Sequence, residues 1–164
     1  MKIKIKSTIT PQEYQNPFEL YLKLSENGNA ISLLFESKSP NQKYPRKSMI
    51  VPNPAIKIIG KKEEFKIEAL NNAGKEILKF FNKNYFKYAQ NYAQKETKIT
   101  GKVKKKENPE LNEEKSAKLA SISFVIKTIL NKFESKNPYA GLYGVFAYDF
   151  ARNFYKIEEK LPDE

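Results

Sequence analysis

Short hydrophobic runs, each closed by a polar or proline-containing turn, characterise the first third of the chain. Residues 2–6 alternate lysine with isoleucine and predict a short strand. Residues 29–37 carry consecutive apolar side chains, Leu33, Leu34 and Phe35 among them, which is typical of a strand buried on both faces. We therefore expect this strand to be central in its sheet. After a polar loop, residues 48–51 predict a third strand.

The middle of the chain predicts a hairpin, a helix and another strand. Residues 55–59 and 64–69 alternate apolar with polar positions, and Gly60-Lys61-Lys62 between them suits a tight turn. Asn72 is the predicted N-cap of a helix that continues to about Phe86, with apolar residues at helical spacing. Residues 98–104 predict a weak edge strand.

Two further helices and a last strand complete the pattern. Asn16-Pro17 supplies an N-cap and a first-turn proline, and Asn27-Gly28 ends that helix. A long helix is predicted over 113–134, because apolar residues recur there every three or four positions. Residues 139–150 predict a strand rich in glycine and aromatic residues, against which another backbone can pack closely at its glycines.

These elements predict an α+β fold, a mostly antiparallel sheet with flanking helices. A length of 164 residues with 40% hydrophobic content suits one domain with a hydrophobic core. The longest dense apolar run, 30–35, has the length of a strand, whereas a membrane span needs roughly 18 residues. The alternating start also lacks the apolar core of a signal peptide. We therefore expect a cytoplasmic protein that has no contact with a membrane.

The chain contains neither Cys nor His, which removes whole classes of chemistry. Disulfides, thiolate nucleophiles, the usual zinc sites and histidine-dependent triads are excluded. Acid–base chemistry would need carboxylates, lysine or tyrosine. Tyr148-Asp149 could suggest such a role, but this pair after a Gly-rich strand is more typical of packing and a helix N-cap. We predict no catalytic, cofactor-binding or metal-binding residue.

The formal net charge of +11 first suggests a nucleic-acid partner. Of 30 basic residues, however, only Arg46 and Arg152 are arginine, and base and phosphate recognition favours the planar guanidinium. The lysine excess accompanies many Asn, Ile, Tyr and Phe residues, a mixture that an A/T-rich genome also produces. We expect a solvated lysine surface and no nucleic-acid partner. An aromatic stripe could stack bases, but its helical spacing is more typical of a core: Phe80, Phe81, Tyr85, Phe86 and Tyr88.

Three segments carry a family resemblance. The first is Leu33-Leu34-Phe35-Glu36-Ser37, followed after a loop by Arg46-Lys47-Ser48. The second is the strand-to-helix passage 65–74, and the third is the Gly-rich stretch 141–149, which ends in Tyr-Asp. In order and spacing they resemble the amino-terminal region of anthranilate synthase component I, the large subunit of a chorismate-utilising enzyme. Phe35 departs from the family pattern, which has Leu before Glu-Ser.

The resemblance implies that residues 1–164 are the amino-terminal, regulatory domain of component I, without its catalytic chorismate-binding domain. The parent enzyme is a carbon–oxygen lyase of tryptophan biosynthesis, which makes anthranilate from chorismate and from ammonia released by a glutamine amidotransferase subunit. Its Mg²⁺ belongs to the catalytic domain. We therefore expect this chain alone to be inactive and to hold no cofactor. The implied partners are tryptophan as inhibitor, the amidotransferase subunit and the missing catalytic domain.

The family's tryptophan site carries over to Glu36, Ser37 and Lys47. In the family, the Glu and Ser of Leu-Glu-Ser and a Lys shortly afterwards line this site, and the missing region supplies the rest. A free amino acid presents an ammonium and a carboxylate, which suit Glu36 and Lys47 respectively, while Ser37 can donate or accept. The plainer alternative is that Glu36 and Ser37 only end a strand and that Lys47 lies in solvent.

Two alternative functions stay open. The same region of aminodeoxychorismate synthase component I shares fold and substrate with the leading interpretation, although the Lys47-Ser48 pair favours anthranilate synthase. The alternative from another class is a free-standing basic module that binds RNA. Steeply salt-dependent binding to RNA would distinguish that module from a regulatory domain.

Overall fold

A computed structural model describes residues 2–37, 47–103, 122–148 and 150. Residues 1, 38–46, 104–121, 149 and 151–164 lie outside the described residues, and they include the polar loop and the start of the predicted long helix. The elements, in chain order, are β1 (Ile3–Lys4), α1 (Pro17–Leu24), β2 (Ser32–Ser37), β3 (Lys47–Pro52), β4 (Ile56–Lys61), β5 (Glu64–Ala69), α2 (Asn72–Lys79), a 3₁₀ helix (Lys83–Phe86), β6 (Ala89–Lys95), β7 (Lys98–Val103), α3 (Ile122–Lys132) and β8 (Phe133–Glu134).

Antiparallel pairing dominates the described strands, which confirms the predicted α+β fold. A four-stranded antiparallel sheet has the order β4-β5-β7-β6. A separate antiparallel pair joins β2 to β3, with Ser32 opposite Pro52 and Ser37 opposite Lys47. The short strands β1 and β8 pair in parallel, with Ile3 opposite Phe133.

The hydrophobic core lies on one face of the four-stranded sheet. We call this sheet, together with α2, the 3₁₀ helix and α3, the sheet unit. Alternation along β5 and β7 sends every second side chain into the core, and Ile67 faces Ile99 across the two strands. The buried apolar residues of the described chain all belong to the sheet unit: Phe65, Ile67, Leu78, Phe81, Phe86, Ile99, Val103, Ile122, Val125 and Ile129.

The strand β7 corrects one prediction. Its sequence suggested a weak edge strand, yet β7 lies between β5 and β6, and Ile99 is 0% exposed. The edge position belongs instead to β6, whose polar sequence suits a strand with one unpaired side. A register irregularity between Gln90 and Ala93, with Asn91 at a left-handed φ of 51°, further bends this edge.

The predicted helix from Asn72 to Phe86 is wrong in both its cap and its length. The N-cap is Asn71, whose side chain accepts a hydrogen bond from the Gly74 N–H at 3.0 Å. The helix α2 ends at Lys79, because Asn82 is extended and caps the following 3₁₀ turn through the Asn84 N–H. The amide of Gln94 then donates to two carbonyls exposed by that ending, those of Leu78 and Phe81, at 3.1 and 3.2 Å.

A second group of elements, α1, β2 and β3, forms what we call the hairpin unit. As predicted, Asn16 is the N-cap of α1, and its side chain accepts hydrogen bonds from the N–H groups of Phe18 and Glu19. The helix turns into β2 around Ser25, which is fully buried and accepts from the Gly28 N–H through its hydroxyl. The prediction that β2 is central is wrong, since β3 is its partner in a two-stranded sheet and its apolar residues are only half-buried.

The prediction of a strand over residues 139–150 is also wrong for its described part. The segment has no strand in the described residues, and nothing lies within 4 Å of a Cβ placed on Gly141 or Gly144. Val145 and Phe146 are exposed. Gly141 and Gly144 therefore do not allow the close backbone packing that the sequence predicted. The described part of the segment forms no strand hydrogen bonds that would bury every second side chain.

Candidate functional site

Two of the three predicted site residues meet at the open end of the β2–β3 hairpin. Ser37 and Lys47 are the last register pair of the two strands. The Ser37 hydroxyl accepts a hydrogen bond from the Lys47 backbone N–H at 3.3 Å, and it donates to the Lys47 carbonyl at 3.4 Å. The two side chains share one face of the hairpin, because directly opposed residues of an antiparallel pair project to the same side. Both residues are exposed.

Glu36 projects from the opposite face of the hairpin. Consecutive strand residues alternate between faces, so Glu36 lies on the side away from Ser37 and Lys47. Its register partner is Ser48, whose hydroxyl donates to Glu36 Oε1 at 3.4 Å. Glu36 is exposed as well. The structure therefore brings Ser37 and Lys47 together on one face of the hairpin and places Glu36 on the opposite face.

An apolar surface adjoins the pair Ser37 and Lys47. Phe35, two residues before Ser37, lies on the same face with Met49 opposite it. The Tyr143 ring approaches Phe35, with 6.1 Å between centroids and an interplanar angle of 50°. Sequence reasoning missed both neighbours. The strand register would have indicated Met49, whereas no sequence signal pointed to Tyr143, which folds back from a distant segment.

This geometry suits a ligand that combines a charged group with an aromatic ring. A carboxylate would meet the ammonium of Lys47, and it would take the Ser37 hydroxyl proton in place of the Lys47 carbonyl. A ring would lie against Phe35 and Met49 beside them. Among the described strands β2 pairs only with β3, and its other edge carries backbone N–H and C=O groups. A ligand at that edge has Ser37 on one side of the strand and Glu36 on the other. The arrangement therefore offers groups of both charges to a zwitterionic ligand.

The other candidate chemistry of the chain is sparse in the described residues. Tyr148 is 87% exposed, and Asp149 lies outside the described residues, so its proposed capping role stays a prediction. In the described ranges, no three side chains of His, Cys, Asp or Glu are grouped to hold a metal ion, so these residues do not fit Mg²⁺. No helix in those ranges is both long and apolar enough to span a bilayer.

The aromatic stripe proposed as core is split by the structure. Phe81 and Phe86 are buried, as that interpretation predicts. Phe80, Tyr85 and Tyr88 are exposed, because the helix ends at Lys79 and the 3₁₀ turn that follows changes the direction of each side chain. The prediction of a core is therefore right for two of the five residues and wrong for three.

Comparison with known proteins gives two curated relatives. Anthranilate synthase component 1 of Buchnera aphidicola subsp. Rhopalosiphum maidis is 32% identical over 155 residues, which are 91% of this chain and 28% of that protein. The protein of the same name from Buchnera aphidicola subsp. Acyrthosiphon pisum (strain APS) is 31% identical over 144 residues, covering 80% of this chain and 26% of its own length. No family model matches the chain. No solved structure matches it either.

These matches bear directly on the resemblance carried by 33–37, 65–74 and 141–149. They extend over most of this chain, so the similarity is not limited to one short motif. The chain spans only 26–28% of the length of the curated relatives that it matches. The resemblance is confirmed: this chain is a relative of anthranilate synthase component 1 that corresponds to little more than a quarter of that protein.

Proposed function

We propose that this chain is the amino-terminal, tryptophan-sensing part of an anthranilate synthase component 1. The observation that carries the proposal is the hairpin end, where Ser37 and Lys47 are paired in register beside Phe35. Both curated relatives bear the name of this subunit, which favours anthranilate synthase over aminodeoxychorismate synthase.

The proposed ligand matches the chemistry of the hairpin end group by group. Tryptophan presents a carboxylate for Lys47 and Ser37, and its indole can lie against Phe35 and Met49. Its ammonium reaches Glu36 around this other edge of β2, so the strand edge, and not one face, is the proposed binding position. Since Glu36, Ser37 and Lys47 are exposed, this chain supplies only part of an enclosed site, and the rest comes from the remainder of the subunit.

The parent activity belongs to the same proposal. The full subunit makes anthranilate from chorismate, with ammonia from a glutamine amidotransferase subunit, and acts as a carbon–oxygen lyase in the cytoplasm. Chorismate and Mg²⁺ bind the portion that is not included here, so this chain alone shows no turnover. Regulation in this scheme is a coupling free energy between the tryptophan site and the catalytic site.

The test is tryptophan inhibition of a full-length component 1 that carries this segment. Removing one charge-assisted hydrogen bond weakens a ligand by about tenfold to a hundredfold. Ser37→Ala and Glu36→Ala should therefore raise the inhibitory tryptophan concentration by about that factor and leave turnover near normal. Lys47→Ala should have a smaller effect, because solvent screens an exposed ammonium.

The matched control is Ser32→Ala, at the opposite end of the same strand. Within the described residues its hydroxyl donates to the nearby carbonyl of Ala30, at 3.2 Å, so the inhibition curve should not move. Unchanged inhibition in Ser37→Ala and Glu36→Ala would show that the tryptophan site does not lie here. Loss of turnover together with inhibition would show that these residues only stabilise the hairpin.

A further inference from the structure

Two of the three exposed residues of the aromatic stripe, Tyr85 and Tyr88, lie beside α3 and form a surface separate from the hairpin end. Tyr88 is 57% exposed and Tyr85 is 39% exposed. The Tyr88 ring meets the Phe124 ring of α3 edge-on, with 5.4 Å between centroids. Tyr85, Tyr88, Phe124 and Thr128 line a shallow depression between the 3₁₀ helix and α3. We call these four residues the aromatic groove.

The two segments that build the aromatic groove contain lysines and no acidic residues. Residues 80–92 contain Lys83 and Lys87, residues 122–133 contain Lys127 and Lys132, and neither segment contains Asp or Glu. The Lys127 ammonium lies 5.9 Å from the centroid of Phe124. The Lys132 ammonium lies 4.1 Å from the centroid of Tyr85. Cations held against ring faces keep their charge available to an incoming anion.

The outer face of the sheet shows what distinguishes this groove from an ordinary lysine surface. There Lys66 pairs with Glu68 at 3.0 Å, and Lys102 pairs with Glu63 at 3.4 Å. Within the described residues, none of the four groove lysines is in an ion pair with a carboxylate. Lys57 and Lys98 on the outer face are also without an ion pair within the described residues, so the groove differs from that face in its exposed aromatic rings and in the lysines held against them.

We propose that the aromatic groove binds single-stranded nucleic acid, with a base stacked on Tyr88 and phosphates facing the surrounding lysines. Exposed rings beside a positive surface are the features with which proteins hold single strands without reading sequence. Lysine is sufficient for this purpose, since phosphate attraction needs charge and not the forked geometry of arginine. A duplex hides its base faces by stacking, so it is bound only through charge. This proposal departs from the sequence-based expectation of no nucleic-acid partner, because Tyr85 and Tyr88 are exposed and not in the core. It is independent of the tryptophan site.

The experiment measures binding of a fluorescent twelve-nucleotide uridine RNA to the purified chain by anisotropy at several salt concentrations. The expected result is binding that weakens with salt, with a log–log slope of about −2 for contact with roughly three phosphates. Tyr88→Ala should weaken binding about tenfold, and Tyr88→Phe should retain it, because phenylalanine still stacks. Tyr88 is exposed, so circular dichroism should show the variants to be folded.

Two matched double variants separate the groove from the overall charge. The groove variant combines Lys87→Ala with Lys127→Ala. The sheet variant combines Lys57→Ala with Lys98→Ala on the outer face of the sheet. Each variant removes two exposed positive charges. The groove pair should weaken RNA binding at least fivefold more than the sheet pair. Equal losses, equal affinity for a duplex or for heparin, unchanged binding in Tyr88→Ala, or no binding at low salt would each overturn the proposal.

Discussion

The hairpin unit contains the densest apolar strand and the sheet unit contains alternating strands, yet the alternating strands are the more deeply buried. Leu33, Leu34 and Phe35 stand consecutively in β2 and are only half-buried. In the sheet unit, Ile67 and Ile99 come from strands that alternate with lysine and glutamate, and they are 1% and 0% exposed. Apolar content along a strand therefore does not decide burial. The number of layers that pack on the strand decides it.

This difference in packing also bears on the regulatory function proposed for the hairpin unit. A regulatory site must respond to its ligand, and elements with few buried contacts are the ones that shift at low cost. The hairpin unit contains no buried apolar side chain among its described residues, and its buried residue is Ser25. The candidate tryptophan site thus lies on the less tightly packed of the two units, whereas the sheet unit supplies the rigid support.

The largest expected effect tests the burial difference directly. Ile99→Ala should lower the free energy of unfolding by about 4 kcal/mol, because it leaves a cavity in the core. Leu34→Ala in β2 should cost only about 1–2 kcal/mol, since a half-buried side chain loses less transfer free energy. Urea denaturation followed by circular dichroism measures both. Equal costs would mean that the hairpin unit is as well packed as the sheet unit.

A second prediction concerns the connection between β4 and α2. A Cβ on Gly74 would lie 2.0 Å from the Ala55 carbonyl oxygen, so Gly74→Ala forces the backbone apart. The expected loss is about 3 kcal/mol by overpacking, although alanine is the better helix former. Gly141→Ala is the control, because nothing lies within 4 Å of its added Cβ. Thermal unfolding with an unchanged midpoint for Gly74→Ala would show that this contact is loose.

The third prediction compares the helix caps of the two units. Asn71 caps α2 and also donates to Asn53 Oδ1 at 3.0 Å, so Asn71→Ala should cost about 2 kcal/mol. Asn16 caps the exposed α1, and Asn16→Ala should cost about 1 kcal/mol. Asn72→Ala, one residue past the true cap, should be nearly neutral in the same denaturation assay. If Asn72→Ala lowered the free energy of unfolding more than Asn71→Ala does, Asn72 would be the N-cap, as the sequence predicted.

The smallest expected effect concerns the hydrogen bond between Tyr92 and Gln94 at the C-terminal end of α2. The Tyr92 hydroxyl donates to Gln94 Oε1 at 2.6 Å and orients the amide that serves Leu78 and Phe81. Tyr92→Phe should cost about 1 kcal/mol at neutral pH. Burial raises the pKa of Tyr92, so the folded chain disfavours its phenolate.

The pH dependence of the same residue follows from the direction of that shift. A raised pKa means that the folded state binds the phenol proton more tightly than the unfolded state does. The contribution of Tyr92 to the free energy of unfolding is therefore constant below its unfolded pKa of about 10. It falls as the pH rises above that value. The stability difference between wild type and Tyr92→Phe should therefore shrink or reverse above about pH 10. A difference that grows with alkaline pH would contradict the assigned cause.

The candidate site shows where sequence reasoning reaches its limit. The resemblance named Glu36, Ser37 and Lys47, and the structure pairs only the last two on one face. Strand alternation alone would have separated Glu36 from Ser37, since consecutive residues point to opposite sides. The approach of Tyr143 to Phe35 was beyond prediction, because it joins segments more than a hundred residues apart.

Local chemistry determined the parts of this fold that the sequence predicts well. The cap at Asn16, the hairpin of β4 and β5, and the antiparallel α+β character all follow from residues within a few positions of one another. Tertiary structure alone decided that polar β6 takes the edge and β7 the interior, and that half of the aromatic stripe faces solvent. Those outcomes depend on which distant segments pack on the same apolar surface. The free-energy difference between such alternative packings is not contained in the local sequence pattern.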